Sequence, residues 1–154
     1  MIAGEDVQLV TFRVGPQEFA FDILQIQRIL RYEAPSPLPQ SPSFLEGVVP
    51  YEGGAVPVVD LRKRFELEAA IREETRLMIV DLGDQRVGVL VDEVREVIRV
   101  ESTTIAAPAP IVSGLAAAYI AGIVTRPGRT IIILNARKLL SSTERLALNA
   151  MGSS

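Results

Sequence analysis

LVTFRVGPQEFAFDILQIQRIL, residues 9–30, is matched without a gap by LMIVDLGDQRVGVLVDEVREVI, residues 77–98. Leu9 falls on Leu77, Gly15 on Gly83 and Gln17 on Gln85. Val10, Phe12 and Val14 fall on Met78, Val80 and Leu82, and Ile26 and Ile29 on Val94 and Val97. A second pair follows in the same order: FLEGVVPYEGGAVPVVDLRKRF, residues 44–65, and YIAGIVTRPGRTIIILNARKLL, residues 119–140. There Gly47 meets Gly122, Gly53 meets Gly128, and Arg62-Lys63 meets Arg137-Lys138. Any two hairpins can be slid together. Two ungapped matches in one order, with turn glycines and apolar faces in register, argue for one unit duplicated. Few positions are identical, so apolar periodicity carries the match.

Local signals make that unit mostly β. In residues 9–14, Leu9, Thr11 and Arg13 face one way and Val10, Phe12 and Val14 the other, the period of a strand. Gly15-Pro16 turns the chain towards Phe19–Phe21, giving a hairpin. Asp22 is a good N-cap, and Ile23, Ile26, Ile29 and Leu30 keep helical spacing, so a helix is expected over Ile23–Leu30. Pro35, Pro37, Pro39 and Pro42 impose a rigid surface loop with a short edge strand near Leu38. Strands are expected at Phe44–Val49 and Ala55–Asp60, with Asp60 capping a short helix, Leu61–Phe65, whose Arg62 lies on the polar side. Ala69–Arg76 reads as a linker. Further hairpins follow at Leu77–Leu82 with Val87–Val91 and at Ile120–Val124 with Thr130–Leu134. Between them Asp92 opens a segment with the character of a helix or a strand, and a helix closes the chain over Lys138–Leu148. The expected fold is one domain over residues 1–154 in two five-stranded β-barrel subdomains, about 7–68 and 77–134, with the C-terminal helix at 138–148. Barrels remove strand edges, and two side by side leave a groove for a partner.

Composition narrows the function. The chain has neither Cys nor His. Thiolate chemistry, imidazole acid–base catalysis and the common zinc sites are therefore absent. Net charge is −3, which offers no basic field for nucleic acid or an anionic membrane. No apolar run approaches the roughly 20 residues of a membrane span. Nothing at the start has the basic and apolar make-up of an export leader, so the cytoplasm is the expected compartment. Asp60 with Arg62, and Asp22 and Asp92, read as helix caps rather than catalytic groups.

The chain resembles the CheW family of chemotaxis coupling proteins over residues 7–141. The residues that carry the resemblance are Phe19–Ile23, Pro39, Phe44–Val49, Val56–Arg62, Val87–Asp92 and Tyr119–Gly122. None is specific alone; their order over the full length is. The resemblance implies SH3-like barrels, no catalysis and no cofactor. It implies two partners: the signalling tip of a methyl-accepting chemoreceptor and the regulatory domain of a CheA-type histidine kinase. The protein would then be recruited to receptor arrays at the inner face of the membrane. One departure stands out. Where the family has Asn-Leu-Arg-Gly, this chain has Pro50-Tyr51-Glu52-Gly53. An acid replaces an arginine, which keeps open a divergent module that has lost or altered kinase binding and binds receptors or its own copies. An enzyme or ligand module using the inter-barrel cleft is the competing class.

The resemblance assigns Val10, Ile23, Ile26, Ile29 and Val94 to a receptor groove, with Arg28 beside them to meet an acidic residue. An apolar groove is what a helical hairpin needs; the competing reading is plain core. It assigns Val48, Tyr51, Glu52, Gly53 and Ala55 to a kinase-facing barrel end, with Tyr51 as an exposed anchor, and Ile111 and Val112 to a second kinase contact.

Overall fold

A computed structural model describes residues 5–107 and 119–152. Ten strands form: β1 Asp6–Val14, β2 Gln17–Asp22, β3 Ile26–Arg31, β4 Gly47–Tyr51, β5 Gly54–Asp60, β6 Arg76–Asp81, β7 Arg86–Val91, β8 Glu93–Glu101, β9 Ile120–Arg126 and β10 Arg129–Leu134. Among the described residues the helices α1 Leu61–Arg64 and α2 Ser142–Gly152 join 3₁₀ turns at Ile23–Gln25, Ser102–Thr104 and Ala136–Lys138. The strands make two five-stranded sheets, ordered β8-β1-β2-β10-β9 and β3-β6-β7-β5-β4. The mainly β class with short helices is borne out.

The duplication holds down to the ladder register. Leu9 opposes Ile98 in one sheet, and its counterpart Leu77 opposes Leu30 in the other. Ala20 lies beside Ile133, and Gly88 beside Val58, in the two parallel ladders. The ladders nevertheless cross the expected boundary between 7–68 and 77–134. Hairpin β1–β2 of the first copy is built into the sheet of β8, β9 and β10, and hairpin β6–β7 of the second into the sheet of β3, β4 and β5. Each copy has given its first hairpin to the other.

The alternation of β1 explains where the cores lie. Val10, Phe12 and Val14 enter a central cluster with Met78 and Val80 of β6 and Leu82 just beyond it, so this cluster draws on both sheets. Phe12 stacks on Phe21 at 5.0 Å between centroids, and Phe19 on Phe65 at 5.2 Å. Leu9 points the other way, into a smaller cluster with Ile98, Val124, Ile131 and Ile133. The counterparts Leu77, Leu30, Val49, Val56 and Val58 make the matching cluster of the other sheet. In both sheets the chain leaving one edge strand bonds to the opposite edge: Ser36 pairs with Val48 on β4, and Ala106 with Ile123 on β9. The strand expected near Leu38 is this single bridge. Gly47 and Gly122 sit beside the two bridges for a steric reason. A Cβ on Gly47 would stand 2.3 Å from the Ser36 carbonyl oxygen, and one on Gly122 2.4 Å from the Ile105 side chain.

Three expected elements differ. The helix over Ile23–Leu30 is one 3₁₀ turn followed by β3. The segment after Asp92 is a strand. The C-terminal helix starts at Ser142, four residues later than expected. Ser141 and Glu144 cap it reciprocally: the Glu144 N–H donates to Ser141 Oγ at 3.1 Å, and the Ser141 N–H donates to Glu144 Oε1 at 2.9 Å.

Glu18 pins the first hairpin to its adopted sheet. Arg129 on β10 donates to both its oxygens, at 3.0 and 2.5 Å. These bonds hold the Glu18 carboxyl below the usual carboxylate range. A lowered folded-state pKa stabilises above the unfolded value, about 4.3, and the gain disappears as pH falls through the folded value. Glu18→Gln is therefore expected to cost about 1 kcal/mol near neutral pH and progressively less below about pH 4. Urea midpoints of variant and parent across that range check this; a difference constant with pH would refute it.

Candidate protein-docking surface

The apolar stripe of β3 exists because of a β-bulge. Ile26 opposes Val80, and Ile29 opposes Met78, but Gln27 is inserted between Ile26 and Arg28. Opposed residues of an antiparallel pair share a face. One extra residue lets positions three apart face the same way. Ile26 and Ile29 therefore lie on the side of the central cluster, and Arg28, opposite Ile79, lies on the other. The expectation that Arg28 sits beside the stripe is corrected on this ground. β8 carries the same bulge: Val94 opposes Phe12, Arg95 is inserted, and Val97 opposes Val10.

Both strands are sheet edges, so among the described residues each has a strand on one side only. Ile23, Ile26 and Val94 are half-buried against the central cluster. Ile29 and Val97 remain 38% and 53% exposed. Leu24 is 88% exposed on the 3₁₀ turn that Asp22 caps, its N–H donating to Asp22 Oδ1 at 2.9 Å. Val10, at 3% exposure, is core beneath the stripe and out of a partner's reach. Val97 and Leu24 were missed from sequence, although the internal match already laid Ile29 on Val97.

The second surface is the β4–β5 hairpin. Glu52 and Gly53 both take positive φ, 49° and 79°, which makes the tight two-residue turn. Val48 and Ala55 line a cleft of about 460 Å³ with Leu38, Val56, Pro57, Gln85, Arg86 and Leu148 of α2. Tyr51 is not the free anchor expected. It is half-buried against the cluster of Val49, Val56 and Val58, with the Arg86 guanidinium 5.3 Å from its ring centroid. Arg86 also donates to Glu52 Oε1 at 2.9 Å. The acid that departs from the family pattern is thus neutralised inside the chain. Glu18 and Arg86 occupy equivalent positions with opposite charge, and each holds an ion pair with the hairpin of its adopted sheet, Glu18 with Arg129 and Arg86 with Glu52. Ile111 and Val112 lie outside the described residues.

The acids singled out by sequence serve structure. Asp60 caps α1 as expected, accepting the Arg62 N–H at 2.9 Å. Arg62 is not on a polar face but buried at 1% exposure. Its Nε and Nη2 donate to the two Asp60 oxygens at 2.9 and 3.0 Å, and Nη1 donates to Asp92 Oδ1 at 3.1 Å and to the Ala70 carbonyl. Burial penalises the Arg62 charge, but the bonds to Asp60 and Asp92 outweigh it and hold its pKa above the usual value. Asp92 caps no helix; its Oδ2 accepts the Gly15 N–H at 2.7 Å. Among the described residues no group of three or more Asp or Glu side chains is placed to hold a metal ion. No helix among them is long and apolar enough to cross a membrane.

Comparison with known proteins agrees with this architecture. The family model of the CheW-like domain matches residues 8–144. The chemotaxis protein CheW of Treponema pallidum is 30% identical, over 93% of this chain and 87% of its own length. That of Klebsiella aerogenes is 32% identical, over 93% and 88%. Protein FrzA of Myxococcus xanthus is 32% identical, over 95% and 92%. The crystal structure of the scaffolding protein TtCheW from Thermoanaerobacter tengcongensis superposes with a TM-score of 0.82 at 28% identity, covering 91% of this chain and 96% of that one. The two interleaved sheets, their paired registers and this full-length match place the chain in one family: it belongs to the CheW-like domain proteins.

Proposed function

We propose that this protein is a non-enzymatic adaptor that couples chemoreceptor signalling tips to the regulatory domain of a CheA-type histidine kinase. The observation that carries the receptor half is the edge-strand stripe. Ile26 and Ile29 on β3 and Val94 on β8 border the central cluster without being closed over, and Ile23 joins them. A helix laid on such a border finishes the burial that the sheet edges leave incomplete. The kinase half is the β4–β5 hairpin, where Val48, Tyr51, Glu52, Gly53 and Ala55 form a rigid projection held by Arg86. Ile111 and Val112 supply a second kinase contact. The adaptor works in the cytoplasm, on receptor arrays beneath the membrane. Its relatives' names, chemotaxis protein and scaffolding protein, support this reading.

Pull-down with a purified receptor signalling tip and, separately, with a kinase regulatory domain tests both halves. Binding to each, and a ternary complex when all three are mixed, is the expected outcome. Binding to the receptor tip alone would leave a receptor-only module. Within the kinase arm, Glu52→Arg faces Arg86 with a like charge, and the double exchange Glu52→Arg with Arg86→Glu restores the pair. Kinase affinity is expected to fall in the single variant and recover in the double one.

A further inference from the structure

Resting on the receptor contact above, we propose that Arg31, Arg72 and Arg76 form a carboxylate clamp. The clamp fixes the direction in which a partner helix lies across the two apolar stripes. Five arginines of this chain already hold an acid: Arg62, Arg64, Arg86, Arg129 and Arg145 each bond a carboxylate. Among the described residues, Arg31, Arg72 and Arg76 have no carboxylate within 4.0 Å. All three line one open cavity of about 310 Å³ with Tyr32 and Glu73. Arg76 is held in place by the carbonyls of Glu73 and Thr75, to which it donates at 2.7 and 3.0 Å. Arg31 and Arg76 are direct partners in the β3–β6 ladder. Like charges so opposed repel unless an anion sits between them. In a chain of net charge −3 this corner is a local reversal of sign.

Its position gives the corner a task. Arg31 is two residues beyond Ile29 on the same face of β3, so the apolar stripe ends in positive charge. The counterpart stripe on β8, Val94 and Val97, ends in Arg99. Arg99 opposes Gln8 rather than an arginine, and Asp6 lies 4.0 Å from its guanidinium. The two stripes, Ile26 with Ile29 and Val94 with Val97, thus match in position, and the charge beyond them does not. A helix with an apolar face would bury similar area in either direction on a two-fold stripe. Only a polar element at one end separates the two poses. The occupant is an amphipathic helix carrying one or more acidic side chains a turn beyond its apolar anchors, with the acidic end on β3.

The probe is a purified receptor signalling-tip fragment, titrated at about 50 and about 300 mM salt, where screening differs strongly. Arg31→Glu with Arg76→Glu is expected to weaken binding about tenfold at low salt and less at high salt, while Arg99→Glu changes it by less than about twofold. Arg72→Glu repeats the test without touching a ladder residue, and melting scans confirm that each variant folds. The absence of native cysteine allows a direct readout of direction. Glu33→Cys beyond Arg31 and Glu101→Cys beyond Arg99 are each cross-linked to single cysteines along the tip. Expected is one polarity, with the acidic end of the tip captured by Glu33→Cys. Equal capture of both ends by both positions, or unchanged affinity in both charge reversals, overturns the clamp. If those reversals bind normally while Ile29→Glu does not, the receptor reading stands without the clamp. If the parent protein does not bind the tip, both fall.

Discussion

Arg62→Ala is expected to lower the unfolding free energy by about 3–5 kcal/mol, the cost of breaking a buried ion pair from one side. That is a large share of the roughly 5–15 kcal/mol by which domains of this kind are held. Arg62 is a junction more than a salt bridge. Through it the end of β5 (Asp60), the chain after α1 (Ala70) and the β7–β8 corner (Asp92) are bonded together. Asp92 passes the connection to the Gly15 turn of the first hairpin. Removing the guanidinium strands Asp60, itself 4% exposed, and releases the cation that Asp92 bonds. Urea unfolding at neutral pH measures the loss. Arg62→Met keeps most of the side-chain volume and is expected to behave much like alanine, because charge rather than packing is what is lost. Asp60→Asn combined with Arg62→Met removes both charges and is expected to be less damaged than Arg62→Met alone. A loss under about 1 kcal/mol in Arg62→Ala would show that the network is dispensable.

Ile29→Glu is expected to weaken binding to a receptor tip by about 30-fold or more, with the fold intact. Burying an isoleucine contributes about 1.5–3 kcal/mol, and a carboxylate forced into the same apolar contact costs more. A difference of about 2 kcal/mol is already some 30-fold in affinity. Ile29 is the position to change because it is 38% exposed, so an acid there still reaches water in the free protein. Ile26→Glu is less clean, since Ile26 packs against the central cluster and would lose stability as well. Calorimetric titration with the tip, beside a melting scan, separates the two effects. Kinase-domain affinity is the internal control and is expected to stay within about twofold, because Ile29 lies on β3 and the hairpin on the opposite edge of the sheet. Full retention of tip binding would remove the stripe from the receptor contact.

What could be read from the sequence was what is local. Gly15-Pro16, Gly53 and Gly128 announced the hairpins, and the period-two pattern of residues 9–14 announced their faces. The internal match held because the register of both copies is set by the same apolar alternation. The helix expected over Ile23–Leu30 failed for an instructive reason. The bulge at Gln27 gives a strand the three-residue apolar spacing of a helix. Arg62 was misplaced because its second acid, Asp92, is far away in sequence and meets it only in the folded chain. The start of α2 was legible and overlooked: Ser141 and Glu144 have the spacing of a reciprocal cap. Which hairpin joins which sheet was not legible, because the two first hairpins carry the same pattern and fit either partner.

That exchange of hairpins sets an order on assembly at the ribosome. The sheet of β3 to β7 is contiguous, so it has all its strands once Val91 has emerged. The other sheet is split between the two ends of the chain. β1 and β2, made before the rest of their sheet, have no ladder neighbour but each other until β8 and β10 arrive. A lone two-stranded hairpin is marginal in water. This hairpin, made before its partner strands, is therefore among the last of the ten strands to be secured in a sheet, and the outward apolar side chains of β1 and β2, Leu9 and Ala20, stay open to chaperones or to another nascent copy until β8 and β10 emerge.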